Sequence, residues 1–234
     1  MKPIYLLDLG TMPIFDQLQL EEALLRGTSH NYCLVSRGSS KAIVMGISGK
    51  IELLLNVPKV QEHAVPVIQR FSGGGTVIVD KETLFTTFIF SKDDIPIHPY
   101  PEPILRWTAE LFTTAWQIPN FHLIENDYAI GPMKCGGNAQ YIQKDRWLHH
   151  TSFLFDYQNE NMEYLQLPEK RPTYRKNRTH TDFLCRLKDH APSKEHLIDQ
   201  LKIELNKRFQ VTPISLDELT WNPHRQSVRQ VTEH

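Results

Sequence analysis

Three glycines in a row, Gly73, Gly74 and Gly75, stand directly before the apolar run Thr76, Val77, Ile78 and Val79. No other feature restricts the folding of this chain as much. Glycine has no Cβ, so it reaches φ > 0 and lets a ligand approach the backbone closely. Residues 66–70 and 77–80 read as strands on either side, which makes the stretch from Arg70 to Asp80 a glycine-rich hairpin. Exposed N–H groups in such a turn can hold an anion. Arg70, just ahead of it, would add a planar and permanently charged donor fork. The residues alone leave two readings open: a cradle for a phosphate or carboxylate, or a plain glycine-rich loop. The stretch is neither a Walker A motif nor a dinucleotide fingerprint, because no Gly-Lys-Ser/Thr follows and the next element is a strand.

The 234 residues allow one domain of ordinary to large size, placed over 1–220, with a polar tail at 221–234 that is expected to be disordered. No C-terminal accessory domain is evident. A formal net charge of −1 argues against nucleic acid as the main partner. Cys33, Cys135 and Cys185 are odd in number and form no Cys-x-x-Cys pair, so they read as reduced thiols. No apolar run approaches the ~20 residues that span a bilayer. The N-terminal apolar run is too short for a signal peptide, so the expected location is cytoplasmic.

Along the chain, residues 4–9 read as a strand. A helix follows in which Asp16 is the expected N-cap, Gln19 completes a capping box, and Phe15 with Leu20 forms a hydrophobic staple. Strands are expected at 32–36, 42–45 and 84–90, and a short helix at 56–64. Ile104, Thr108, Leu111, Phe112 and Ala115 fall on one face of a second helix, with Trp107 and Trp116 beside it as core aromatics. Short strands at 121–124 and 128–130 precede two antiparallel neighbours, one carrying Lys134 and one spanning 148–155. Residues 159–181 are polar and irregular. Cys185 reads as a core position of a helix, and Ser193 as the cap of the last helix. Strands outnumber helices and often follow one another, which indicates an α+β fold with a mixed, largely antiparallel sheet flanked by helices.

A second stretch narrows the functional reading. Asn126-Asp127-Tyr128-Ala129-Ile130-Gly131-Pro132-Met133-Lys134-Cys135-Gly136-Gly137-Asn138-Ala139-Gln140 leads into Trp147-Leu148-His149-His150-Thr151-Ser152. With the triple-glycine turn, these residues resemble the lipoate–protein ligase family of the biotin/lipoate ligase superfamily. Its hallmarks are an Arg-Arg-x-Ser-Gly-Gly-Gly turn, a Lys-x-x-Gly-x-Ala segment and a His-His-Gly-Thr strand start. The resemblance runs from about Leu6 to Leu187 and implies the biotin/lipoate ligase catalytic fold, related to class II aminoacyl-tRNA synthetase cores.

The resemblance implies an ATP-dependent enzyme that converts lipoate to lipoyl-AMP. It would then acylate a lysine on a lipoyl-acceptor domain, an E2 subunit or the glycine cleavage H protein. Two anions must meet in the first step, and a fixed cation between them lowers the barrier. Lys134 is the residue expected to supply it, with little polar company from Met133, Gly136, Gly137 and Ala139. Arg70 would face the nucleotide phosphate. Gly75, Thr76, Val77 and Ile78 would contact the adenylate. Ser72, Gly73, Gly74, Gly75, Gly137, Asn138, Ala139 and His150 would border the lipoyl group, while Gly136 and Gly137 would let the Lys134 strand pack on the acid. Mg²⁺ is expected with ATP, with Asp80 and Asp127 the candidate ligands. Residues 171–180 would engage the acceptor. Neither nucleic acid nor membrane is an expected partner, although a separate accessory-domain protein is one.

Several positions depart from the family pattern. Gln69 replaces the first arginine of the pair, Val79 a histidine, Lys81-Glu82-Thr83 a Gly-Asn, Gly49-Lys50 a Gln-Asn, and Thr151 a glycine. Two alternatives stay open at this point. One is an ATP-independent octanoyl or lipoyl transferase working through Cys135 or Cys185. The other is a non-catalytic relative that binds lipoyl domains. Adjacent strand residues point to opposite faces, so Cys135 should face away from Lys134, and His149 away from His150.

Overall fold

The computed structural model describes residues 1–167 and 171–231. Its elements begin with β1 (Lys2–Asp8), α1 (Ile14–Gly27), β2 (Tyr32–Ser36), β3 (Ala42–Met45), α2 (Ile51–Leu54), α3 (Val57–Glu62), β4 (Val67–Gln69), β5 (Val77–Val79) and β6 (Thr83–Ser91). They continue with α4 (Pro101–Trp116), β7 (Phe121–Ile124), β8 (Asp127–Ile130), β9 (Met133–Ile142), β10 (Arg146–Leu154), α5 (His180–Phe183), α6 (Lys194–Arg208), β11 (Phe209–Pro213) and β12 (Arg229–Gln230). Among the described residues the strands form two sheets, ordered β11-β1-β2-β6-β10-β9-β8-β7 and β12-β4-β3-β5. In the larger sheet β1 is parallel to both neighbours and the remaining pairs are antiparallel. The architecture is the expected α+β, with the strands divided between two mixed sheets rather than gathered in one. No helix among the described residues is long and apolar enough to cross a membrane.

Helix α4 buries Ile104, Thr108, Leu111, Phe112 and Ala115, the face its spacing specifies. With α6, whose N-terminus is capped by Ser193 Oγ accepting from the His196 N–H at 3.0 Å, it covers one side of the larger sheet. Phe88, Cys135, Trp147 and Phe153 of the sheet interleave with Phe112, Leu201 and Leu205 there. Each such side chain contributes roughly 1.5–3 kcal/mol on burial. Trp107 and Trp116 join this core, as their positions beside the helix face imply. On the opposite side, Leu18, Leu24 and Leu25 of α1 pack among Leu34, Phe85 and Leu148 of the larger sheet and Val44 and Ile68 of the smaller.

Three expectations are corrected. The glycine stretch is not a hairpin: β3 lies between β4 and β5, parallel to the first and antiparallel to the second, so the connection crosses over a strand. Helix α1 starts at Ile14 without a side-chain cap of its own, and Asp16 lies inside its first turn. The Ile14 N–H donates to the Ser39 hydroxyl at 2.7 Å instead, a tertiary partner that local spacing could not show. The C-terminal tail is docked as far as it is described. Arg229 and Gln230 pair with Gln69 and Ile68, and the Ser227 and Val228 N–H groups donate to the buried Glu22 carboxylate. Residues 232–234 lie outside the described part.

Candidate functional site

Between the two sheets lies a cavity of about 690 Å³, in the range of small-molecule sites. The glycine connection and β5 form one wall, β9 and β10 another, and residues 171–184 contribute Arg171, Arg175, His180 and Phe183. Arg70, Gly73, Gly74, Gly75, Thr76, Val77, Ile78, Lys134, Gly137, Asn138, Ala139 and His150 all border it. Ser72 does not. It is 2% exposed, and its carbonyl accepts from the Ile47 N–H at 2.9 Å.

Lys134 reaches the cavity because the strand is irregular. Tyr128 faces Gly136 and Ala129 faces Lys134, which leaves Cys135 as an extra residue in β9. Such a bulge re-aims the side chains beside it. Cys135 is sealed in the core, and a Cβ on Gly136 would lie 2.6 Å from the Phe153 ring on that same side. Lys134 and Gly137 consequently face the cavity together, with Nζ 3.5 Å from where a Cβ of Gly137 would stand. Gly136 is thus required by Phe153, not by a ligand. The ammonium also has polar company the sequence did not reveal. Its Nζ lies 2.8 Å from Asp127 Oδ1, and Tyr174 donates its hydroxyl to Asp127 Oδ2 at 2.9 Å. Burial, then the charge of Asp127, pushes the Tyr174 phenol above its ordinary value, so it remains a donor.

Arg70 borders the cavity and braces the glycine connection. Arg70 is 4% exposed, and its Nε and Nη2 donate to the Gly73 carbonyl while Nη2 also reaches the Gly75 carbonyl at 2.9 Å. Burial lowers its pKa to about 10, still well above neutrality. Gly74, at φ 106°, would set a Cβ 2.7 Å from Arg70 Nη2, so glycine is obligatory there. Beneath it Gly46, which sequence reading passed over, would set a Cβ 2.4 Å from the Gly74 carbonyl. Three buried polar atoms of cavity-lining residues, Thr76 Oγ1, Gln140 Oε1 and Arg175 Nη2, have no hydrogen-bond partner among the described residues. An unpartnered buried guanidinium donor fits an anionic ligand.

The family model of the lipoyl protein ligase A/B catalytic domain matches residues 13–210. The chain belongs to this family. Among curated relatives, the inactive lipoate–protein ligase 2 of Plasmodium falciparum is 28% identical over 246 residues, covering 79% of this chain and 63% of the relative. The probable lipoate–protein ligase A of Mycoplasma pneumoniae is 30% identical over 118 residues, 50% of this chain and 34% of the relative. The chain therefore spans about a third to two thirds of their length. Among solved structures, the bi-partite lipoate–protein ligase of Thermoplasma acidophilum, described with its E2 lipoyl domain, superposes with TM-score 0.77 at 17% identity, covering 93% of this chain and 89% of that one. At that identity the likeness establishes the fold.

In this lipoyl ligase-family chain, His150 belongs to a buried polar network. Its Nδ1 lies 2.9 Å from Glu21 Oε1, which also accepts from Thr87 Oγ1 at 2.7 Å and Gln17 Nε2 at 2.9 Å. Glu21 is wholly buried, and sequence reading gave it no role. The available signal was a carboxylate one turn after Gln17 on a helix face that is otherwise apolar. His149 points the other way, bonded to Tyr128 and Gln140, and burial pushes its pKa down to about 3, so it is neutral. Asn138 borders the cavity, although its amide donates to the Asn126 carbonyl at 2.6 Å.

One departure from the family pattern finds a local explanation. Gln69, in place of an arginine, accepts from Arg229 Nε at 2.9 Å and Nη2 at 2.6 Å, and donates to the Ile47 carbonyl. Asp80 is a turn residue outside the cavity, accepting from the Glu82 N–H and Asn161. Asp127 is inside it. Cys185 is not in a helix: α5 ends at Phe183, and the Cys185 N–H donates to the Lys134 carbonyl at 2.9 Å.

Proposed function

We propose that this chain is the catalytic part of a lipoate–protein ligase. It activates lipoate with ATP to lipoyl-AMP and pyrophosphate, then passes the lipoyl group to a lysine of an acceptor lipoyl domain, on an E2 subunit or the glycine cleavage H protein. The observation that carries this reading is the Lys134 ammonium, directed by a bulge into the same cavity that the triple-glycine connection borders. Two unit like charges about 4 Å apart repel by about 4 kcal/mol at an effective dielectric constant near 20. A fixed ammonium offsets that repulsion as the carboxylate oxygen attacks the α-phosphate. Asp127 and Tyr174 hold the amine in place before the anions arrive. Arg70 acts through the loop it braces, and Arg175, with its unpartnered Nη2, is the cation better suited to a phosphate. The apolar walls from Val77, Ile78 and Ala139 suit the acyl chain. In the second step the acceptor amine attacks the mixed anhydride and AMP departs.

Of the two candidate ligands, Asp127 is the one that borders the cavity and would hold Mg²⁺, which usually keeps several waters and is carried largely by phosphates. No group of three or more His, Cys, Asp or Glu ligands occurs among the described residues, so the donor set suits an ion brought by the nucleotide. Three free thiols suit the reducing cytoplasm as its location.

A transferase would need a thiol at the cavity, whereas Cys135 faces the core and Cys185 does not border the cavity. The non-catalytic alternative is favoured by one observation, the name of the Plasmodium falciparum relative. Pyrophosphate release by the purified chain decides among the three, measured with lipoate, octanoate or biotin and with or without an acceptor domain. Lipoate-dependent release, reduced about 100-fold or more in Lys134→Ala, is the expected outcome. Binding of acceptor domains without release would replace this reading with the scaffold, and a trapped acyl thioester without release would replace it with the transferase.

A further inference from the structure

Behind the Lys134 strand, on the face away from the cavity, two cysteines come together from distant parts of the chain. Lys134 and Leu184 form a parallel bridge, and the Cys185 N–H donates to the Lys134 carbonyl at 2.9 Å. Cys135 and Cys185 follow these two residues in the sequence, and their side chains are hydrogen-bonded to each other. Adjacent chains in such a ladder run about 4.8 Å apart. That spacing lies inside the roughly 4.4–6.8 Å Cα separation that a disulfide spans. Cys135 is fully buried and Cys185 half-buried. The Cys185 sulfur also contacts the Met133 carbonyl at 3.5 Å.

We propose that Cys135 and Cys185 are an oxidative modification site, a dithiol that hydroperoxides convert to a disulfide fastening residues 171–185 to the strand of Lys134. The two sulfurs are chemically unequal, as such a reaction requires. A hydrogen bond from the Cys135 thiol holds the Cys185 thiol below its ordinary value, whereas burial holds Cys135 well above. Cys185 is accordingly the nucleophile. Its thiolate attacks the peroxide, forming an S–O bond as the O–O bond breaks and water leaves, and becomes a sulfenic acid. The Cys135 sulfur then attacks the Cys185 sulfur. The S–S bond forms, and the hydroxyl departs with the Cys135 proton as a second water. Two thiols are oxidised by two electrons in total and one hydroperoxide is reduced. Cys33, fully buried and pushed upward by burial, does not take part.

The consequence concerns the cavity. Tyr174, Arg175, His180 and Phe183 belong to the segment that the bond would fasten, and Tyr174 is bonded to Asp127, the partner of Lys134. Oxidation would therefore hold that segment against β9. The disulfide itself does not depend on the ligase reading; an effect on lipoate activation does.

The test treats the whole chain with hydrogen peroxide, blocks remaining thiols and maps peptides without reduction. A single linked pair joining Cys135 to Cys185 is expected, lighter by two hydrogens, independent of protein concentration and reversed by dithiothreitol. Cys185→Ser should abolish it. Cys135→Ser should stop at a sulfenic acid on Cys185 that dimedone captures. Tryptic cleavage after Arg178 and Arg186 should slow about tenfold or more in the oxidised chain, since trypsin cuts the opened form. Singly oxidised cysteines, a Cys185 link between two copies, or unchanged cleavage in the linked chain would each overturn the proposal. A fall in lipoate-dependent pyrophosphate release on oxidation, restored by dithiothreitol, would extend it to the activity. Linkage and protection without any lipoate-dependent release from the reduced chain would leave the modification standing and count against the ligase reading alone.

Discussion

Strands β9 and β10 present two faces with opposite characters. On one, Cys135, Gly136, His149 and Phe153 are shut in against α4 and α6. On the other, Lys134, Gly137, His150 and Ser152 meet the cavity. Neighbours of the same type receive different tasks as a result. His149 is a neutral core hydrogen-bonder, while His150 leans on a buried carboxylate at the edge of the cavity. Gly136 exists for the Phe153 ring, and Gly137 for the space beneath an ammonium. Position relative to one bulge, rather than residue type, decides which face a side chain serves.

Substitutions on each face should separate activity from stability. The largest effect is expected at Lys134. Lys134→Ala should reduce lipoate-dependent pyrophosphate release about 100-fold or more while thermal unfolding stays within a few degrees of the parent. Retained release would break the assignment of the open face. Next in size is Gly136→Ala, whose methyl would meet the Phe153 ring at 2.6 Å. Overpacking of this kind costs about 1–3 kcal/mol, readable as a lower denaturation midpoint with activity per folded molecule preserved.

The sealed face also predicts a pH effect. The folded pKa of His149, about 3, lies below its ordinary 6.5, so between those values the unfolded chain binds more protons. Stability should fall as pH drops below 6.5, by up to about 1.4 kcal/mol per unit from this group. Denaturant titrations from pH 7 to pH 4 should show a shallower loss in His149→Gln, which carries no titrating group. The smallest effect is expected at Gly137→Ala, where a methyl would sit at ordinary contact, 3.5 Å from Nζ. Its stability should change by less than about 0.5 kcal/mol. The KM for lipoate should rise a few-fold, and an unchanged KM would show that this space is not used.

Much of this contrast could be read from the residues. Apolar spacing gave the buried face of α4, and Ser193 capped α6 as expected. The glycine run and Lys134 were chosen from their spacing and family pattern, and both border one cavity. What escaped was tertiary. Strict alternation would have put Lys134 and Gly136 on one face, and only the pairing with β8 shows the extra residue between them. Glu21 is 129 positions from His150, and Tyr174 is 47 from Asp127, so no local window joins them. The insertion of β3 between β4 and β5 depends on pairing choices that short apolar strands leave undetermined.

That insertion gives the seven residues from 70 to 76 the mechanics of an arch. Its piers, β4 and β5, stand two strand spacings apart, about 10 Å, whereas seven residues can reach more than about 20 Å. The crown has slack, and no ladder bond joins the piers directly. The guanidinium of Arg70 works as its tie rod, drawing the carbonyls of Gly73 and Gly75 inward. The excess length is folded down rather than loose: Phe71 and Ser72 are buried, and the Ser72 carbonyl accepts from the Ile47 N–H at 2.9 Å.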